Sequence, residues 1–280
     1  MPKVKKLYLS NHTLDIDVRK CNYDKFDFSE VEDFVRELVG SRDYEYNAIK
    51  DLMVYLWGGS YHDVSELARE NFSKKGAIQQ RFQSEENFLR HLPLPDRLSG
   101  VVHLATGTGK SYVMFALAYL SIILGKVKRV LVLGPSSTVI ERGLRGKFRE
   151  HLYGQTAQRL KQKLPQKYSN IPINLLDENQ PIIDNSIVIE NINSVYNKEN
   201  NSIGDTLFSQ TDEVLILSDE VHHAYSHLTY SGNIYVVEEG GRGENRDERL
   251  WMKFLREEPK IKRHIGFLVP PIIRMNILLM

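Results

Sequence analysis

The stretch Val101–Ser111, VVHLATGTGKS, decides the fold of this chain. Val101, Val102, His103 and Leu104 read as a short buried strand and Ala105–Gly109 as a glycine-rich turn. Lys110-Ser111 then opens an apolar-periodic helix reaching about Leu124. Strand, glycine loop, Lys-Ser and helix, in that order, give a phosphate-binding loop its structural meaning. Gly107 and Gly109 let successive backbone N–H groups line one concavity, where a side chain would block an anion. The helix adds its own N-terminal N–H groups and the positive end of its dipole. The candidate nucleotide-binding residues are Thr106, Gly107, Thr108, Gly109, Lys110 and Ser111. Lys110 would reach the β- and γ-phosphates of ATP, and the Ser111 hydroxyl would ligate Mg²⁺. The pattern G-x-x-x-x-G-K-[ST] holds except at its first position, where Leu104 stands. Lys110 is expected to open an exposed loop and to pack against nothing when no nucleotide is bound.

The complementary stretch is Thr211–His223, TDEVLILSDEVHH. Val214–Leu217 is a continuous apolar run, as expected of a parallel strand buried on both faces. Asp219 and Glu220 follow its C-terminal end, where open α/β sheets place their ligand chemistry. Asp219 is the candidate metal partner, together with Ser111. Glu220 is the candidate base that orients the attacking water, and with Lys110 it is read as catalytic. His222-His223 do not suggest zinc, because neighbouring residues rarely present both rings to one ion and no Cys or H-x-x-x-H partner accompanies them.

ATGTGKS followed by DEVH resembles motifs I and II of the DExH group of superfamily-two helicases, and in texture the res subunit of type III restriction enzymes. The resemblance covers roughly residues 40–267. It implies a P-loop, RecA-like α/β domain with a parallel sheet and flanking helices, preceded by a mainly helical N-terminal region. It implies ATP and Mg²⁺ as ligands, DNA (double-stranded in preference to RNA) as the partner, and a methyltransferase or specificity subunit as a further candidate partner. His222, the last residue of DEVH, is implied to couple the nucleotide site to nucleic acid. Gly134-Pro135-Ser136-Ser137 matches the family's motif Ia, so Pro135, Ser136 and Ser137 are candidates for a nucleic-acid phosphate. Asn191, at a strand end, is a candidate for the tracked strand's backbone; by capping preference alone it is a good helix start. Arg142, Arg145, Lys147 and Arg149 lie on the helix after motif Ia and read either as a solvated face or as phosphate contacts. Tyr44-Glu45 stands where the family carries Tyr-Gln for adenine. Glu lacks the amide's donor–acceptor pair, and Tyr44 reads equally well as a packing residue.

Composition sets wider limits. There are 37 basic and 36 acidic residues, so any basic surface must be local, and the single cysteine excludes a disulfide framework. The polar opening MPKVKKLYLSNH is not a signal peptide, and no apolar run is long enough to span a bilayer, so a cytoplasmic location is the expectation. Residues 1–28 alternate weakly and read as a small hairpin. Ser29-Glu30-Val31-Glu32 reads as a capping box opening a helix that ends at Gly40. A second helix follows, with Ala48, Ile49, Leu52, Tyr55 and Leu56 on its apolar face and Gly58-Gly59 as its stop. Residues 60–99 read as short helices closing in a Pro-rich loop, residues 225–246 as a loop, and Asp247–Leu255 as a helix packing Leu250, Trp251 and Phe254.

The expected division is residues 1–95 as the N-terminal region with its adenine-motif-like helix, 96–267 as the RecA-like ATP-binding domain, and 268–280 as a tail. Gly266-Phe267 fit the family's G-F-[ST]-G-T-P, but Leu268-Val269-Pro270-Pro271 do not. Deleting one nucleotide from codons for F-S-G-T-P yields F-L-V-P-P. The expectation is therefore an out-of-frame tail whose apolar residues have no place to pack, with the second RecA-like domain absent and activity weak or lost. Two alternatives stay open: a non-enzymatic ATP-binding module that docks to a partner, and an RNA helicase fragment.

Overall fold

The computed structural model describes residues 14–104, 107–134, 140–176, 180, 182–191, 213–221, 228–231, 234–237, 246–268 and 276–278. Its centre is a seven-stranded sheet. The strands are β1 (Leu98–His103), β2 (Arg129–Gly134), β3 (Asn174–Leu176), β4 (Ser186–Asn191), β5 (Val214–Ser218), β8 (Ile261–Leu268) and β9 (Asn276–Leu278). Their spatial order is β3-β4-β2-β5-β8-β1-β9, with the first six parallel. A separate two-stranded sheet pairs β6 (Leu228–Ser231) with β7 (Ile234–Val237).

The sheet is buried on both faces, which is why its strands read as unbroken apolar runs. Val130, Val132, Leu215 and Leu217 point into one core, and Leu131, Leu133, Val214 and Ile216 into the other. The first core is covered by α1 (Glu32–Val39), α2 (Asp43–Trp57), α3 (Val64–Lys74) and α6 (Lys110–Ile123), and by Phe148 and Leu152 of α7 (Gly146–Tyr153). The short helices α4 (Gly76–Phe82) and α5 (Glu85–Arg90) add Ile78, Phe82 and Phe88 to it; α8 (Gln155–Gln162) and α9 (Gln166–Ser169) follow α7. The second core is closed by Trp251, Met252 and Leu255 of α10 (Arg246–Glu257). No described helix is long and apolar enough to cross a membrane.

Several boundaries differ from the sequence reading. No capping box forms at Ser29: the Asp27 carboxylate accepts from Ser29 N at 2.9 Å and caps a 3₁₀ turn, Phe28–Val31, which leads into α1 without a side-chain cap. Residues 14–20 make no hairpin; Val18–Lys20 is a 3₁₀ turn capped by Asp17. β1 starts at Leu98, inside the stretch read as loop, and the Ser99 hydroxyl donates to Leu94 O at 3.1 Å. Leu228–Ser231 and Ile234–Val237 pair antiparallel where a loop was expected, and the missed signal in the sequence is Gly232-Asn233, a turn-favouring pair between alternating residues. Within the tail beyond Leu268, the described residues are Asn276–Leu278. They pair antiparallel with β1, Ile277 opposite Val102 and Leu278 opposite Val101, and so cover backbone groups that an edge strand would leave unpaired.

The N-terminal helices are tied to the sheet layer by polar bonds inside the first core. Tyr55 Oη donates to Ser99 O at 2.9 Å and Trp57 Nε1 to Ser121 Oγ at 3.0 Å; the Phe34 and Tyr119 rings stack at 5.2 Å. The Arg263 guanidinium lies 4.3 Å over the Trp57 ring. Trp57→Ala removes this anchor and is expected to cost about 3–5 kcal/mol. The other tryptophan, Trp251, sits in the second core and reports urea unfolding by fluorescence. Its midpoint should fall in the variant, and an unchanged midpoint would mean that the two faces unfold independently.

Candidate functional site

The site lies at the C-terminal ends of the parallel strands. β1 runs into the glycine loop and α6, β5 runs into Asp219-Glu220, and β8 lies between them. One strand thus separates the lysine-bearing loop from the acidic pair. Gly107 and Gly109 adopt φ of 78° and 81°, a region costly for residues with a Cβ, and Gly109 is the residue that caps α6. Nothing lies within 4 Å of where a Cβ on Gly107 would point. Lys110 and Ser111 open α6 with the Ser111 side chain buried. The residues Thr106, Pro135, Ser136, Ser137 and His222 lie outside the described residues.

Lys110 is not the solitary side chain that the sequence reading expected. It is half-buried, and its Nζ stands 2.5 Å from Asp219 Oδ1 and 2.5 Å from Glu220 Oε1. Burial alone would pull the Lys110 pKa down, but the two carboxylates more than offset this and hold it above its ordinary value. One cation thus bridges, and in part offsets, the two acids that follow β5.

The acidic pair is fixed from three sides. Asp219 N donates to Leu133 O at 2.7 Å, extending the β5–β2 ladder by one bond. Glu220 N donates to Asp219 Oδ1 at 2.9 Å, and Glu220 takes φ of 49°, left-handed backbone that costs a non-glycine residue about 1 kcal/mol or more. Val221, fully buried, packs on Gly266 of β8, where a Cβ would meet Val221 Cγ1 at 2.6 Å. One residue before Asp219, Ser218 Oγ lies 2.9 Å from His264 Nε2 in the sheet interior. Burial, with Arg97 adding to it, pushes the His264 pKa down to about 3, so this imidazole is neutral.

Two residues that the sequence reading treated lightly are placed at the loop. Glu45 of α2 is completely buried, and its carboxyl lies against Gly109, with Oε1 1.8 Å from the position a Cβ there would take. The neighbouring Tyr44 is exposed and its Oη donates to Glu45 Oε1 at 3.3 Å. Arg145, read as a possible phosphate contact, turns inward: it is buried, bonds Ile189 O and faces Glu190. Lys147 and Arg149 are exposed on α7, and nothing is described of the Arg142 side chain. Asn191 ends β4, half-buried and opposite Gly134 of β2.

A family model for the type III restriction enzyme res subunit matches residues 42–239, more than half of the chain. The chain belongs to this family. It is thereby a member of a helicase-like P-loop ATPase family, and the match begins early enough to include α2 with Tyr44 and Glu45. No curated protein and no solved structure matched the chain.

The contact between Val221 and Gly266 gives a direct test of how the acids are held. Gly266→Ala drives a methyl group into Val221 and should cost about 1–3 kcal/mol of stability. In the double variant G266A/V221A, the new methyl takes the space that the valine vacates. Thermal unfolding should therefore show the double variant losing less than the sum of the single losses. Strictly additive losses would mean that the two residues do not press on each other.

Proposed function

We propose that this chain binds Mg·ATP at Gly107–Ser111 and Asp219-Glu220 and acts as the ATP-hydrolysing part of a DNA-dependent motor. One observation carries the reading: the lysine of a glycine loop reaches two adjacent carboxylates across one intervening parallel strand. The donor set fits the ligand. Gly107, with open space where a Cβ would point, and Gly109, both at positive φ, keep side chains off the backbone N–H groups at a helix start, which suits phosphates. Ser111 and Asp219 supply one hydroxyl and one carboxylate oxygen, the sparse oxygen set that suits Mg²⁺, which keeps several waters and takes its remaining ligands from phosphate. Bound Mg²⁺ would contribute neutralisation of the charge that builds on the phosphates.

The chain's own groups divide the remaining work. Lys110 exchanges its bridge to the carboxylates for the β- and γ-phosphates. This releases Asp219 toward the metal and Glu220 toward a water. Glu220 accepts the proton of that water as its oxygen bonds to the γ-phosphorus, and the bond from the γ-phosphorus to the β–γ bridging oxygen breaks. His222 couples this site to nucleic acid. Pro135, Ser136, Ser137 and Asn191 hold its backbone, with DNA the partner that the restriction-enzyme family favours. Binding through phosphates should weaken steeply with added salt.

Three substitutions separate these roles. Lys110→Ala should abolish binding of a fluorescent ATP analogue. It should also lower stability by about 1–3 kcal/mol, because two inward-facing carboxylates lose their shared cation. Equal nucleotide affinity in the variant would remove Lys110 from the site. Asp219→Asn should weaken Mg²⁺-dependent binding. Glu220→Gln should leave Mg·ATP affinity near wild type and reduce turnover by about 10²–10⁴. Turnover in the Gln variant equal to wild type would remove Glu220 from the reaction.

A further inference from the structure

Glu45 is the one fully buried carboxylate against the glycine loop, and nothing in the proposed chemistry uses it. Its surroundings are poor in charge. Arg42, on its own helix, is the nearest cation, with Nε 3.3 Å from Glu45 Oε2. That Nε already donates to Val39 O at 2.8 Å, while the Arg42 guanidinium lies 4.3 Å over the Tyr112 ring of α6. Glu45 Oε2 is left buried with no hydrogen-bond partner. From α6, the facing residue is Gly109, and the charged side chain beside it, Lys110, is turned to Asp219 and Glu220. An ionised carboxyl here is desolvated and weakly compensated, whereas a protonated one carries its own donor.

We propose that Glu45 is a positioning residue whose carboxyl, held one backbone layer from the phosphate cradle, couples nucleotide affinity to pH. Protonated, it supports Gly109 without adding charge. Ionised, it sets a buried negative charge beside the loop that must receive the negative phosphates, and affinity falls. This inference rests on the nucleotide reading and extends it. Burial, offset only in part by Arg42 and the Tyr44 hydroxyl, raises the Glu45 pKa to about 7, so the switch falls in the neutral range. The sign follows. A carboxyl raised above its ordinary value is protonated below pH 7 and loses its proton as the pH climbs through 7, so affinity should fall in that direction. By reciprocity, bound phosphates raise the Glu45 pKa further, and binding near pH 7 takes up a proton.

The test titrates ADP, with and without Mg²⁺, against the full chain and its Glu45→Gln variant between pH 6 and pH 8. The amide keeps the shape and is always neutral, and the phosphate's own titration is common to both proteins. Because an amide at position 45 can also touch the adenine, the readout is how the ratio of the two affinities changes with pH, not its value at pH 6. From pH 6 to pH 8 the ratio of Gln-variant to unmutated affinity should rise about three- to tenfold, since a group titrating near 7 goes from about one-tenth to about nine-tenths ionised over that range. Calorimetry in buffers of different ionisation heat should show that the unmutated chain takes up more protons per ADP bound near pH 7 than the Gln variant does. An affinity ratio that stays constant with pH, or equal proton counts in the two proteins, overturns the inference and leaves the nucleotide reading standing. No binding by either protein at any pH overturns both.

Discussion

The bridge from Lys110 to Asp219 and Glu220 is the interaction on which the site depends. It joins the first turn of α6 to the end of β5, across a strand that belongs to neither. Both ends are held by backbone: a glycine loop with positive φ on one side, a left-handed Glu220 and a ladder bond from Asp219 on the other. Such a pair is more than surface decoration, because the lysine is half-buried and removing one partner strands the others away from full solvation. It also fixes what a ligand must do. In the proposed reading, phosphates would compete for the cation and a divalent metal for the acids, so each would make room for the other.

The rest of the fold can be read as support for that geometry. β8 is a spacer that touches both halves: His264 bonds Ser218 just before the acids, and Gly266 admits Val221 just after them. α2 closes the loop from the other side, and Glu45 fills the space that glycine leaves at position 109. The helices before β1 share their core with the sheet through Tyr55, Trp57 and Phe34. A change in that layer therefore reaches the phosphate loop through packed side chains.

Much of this was legible in the residues. The apolar run at Val214–Leu217 marked a buried parallel strand, because both faces of the sheet are covered and no alternation is needed. Gly40 closed the first helix where expected, at positive φ. Sequence could not show that Lys110 folds back on the acids, since a contact between positions about a hundred residues apart depends on strand order rather than spacing. Nor could it show the burial of Glu45, which looks like any polar residue at a helix start until Gly109 is brought against it. Arg145 misled for the same reason: its charge suggested solvent or phosphate, but the turn before α7 aims it at Ile189 and Glu190. The β6–β7 pairing was hidden by the glycine- and glutamate-rich text around it.

The central claim is that a metal enters this site only when nucleotide draws Lys110 away from the carboxylates. Mn²⁺, a paramagnetic stand-in for Mg²⁺, can be titrated against the chain by electron paramagnetic resonance with and without ADP. The account predicts no stoichiometric binding to the nucleotide-free chain and one tightly held ion per chain once ADP is present. One ion bound with the same affinity in both conditions would contradict it.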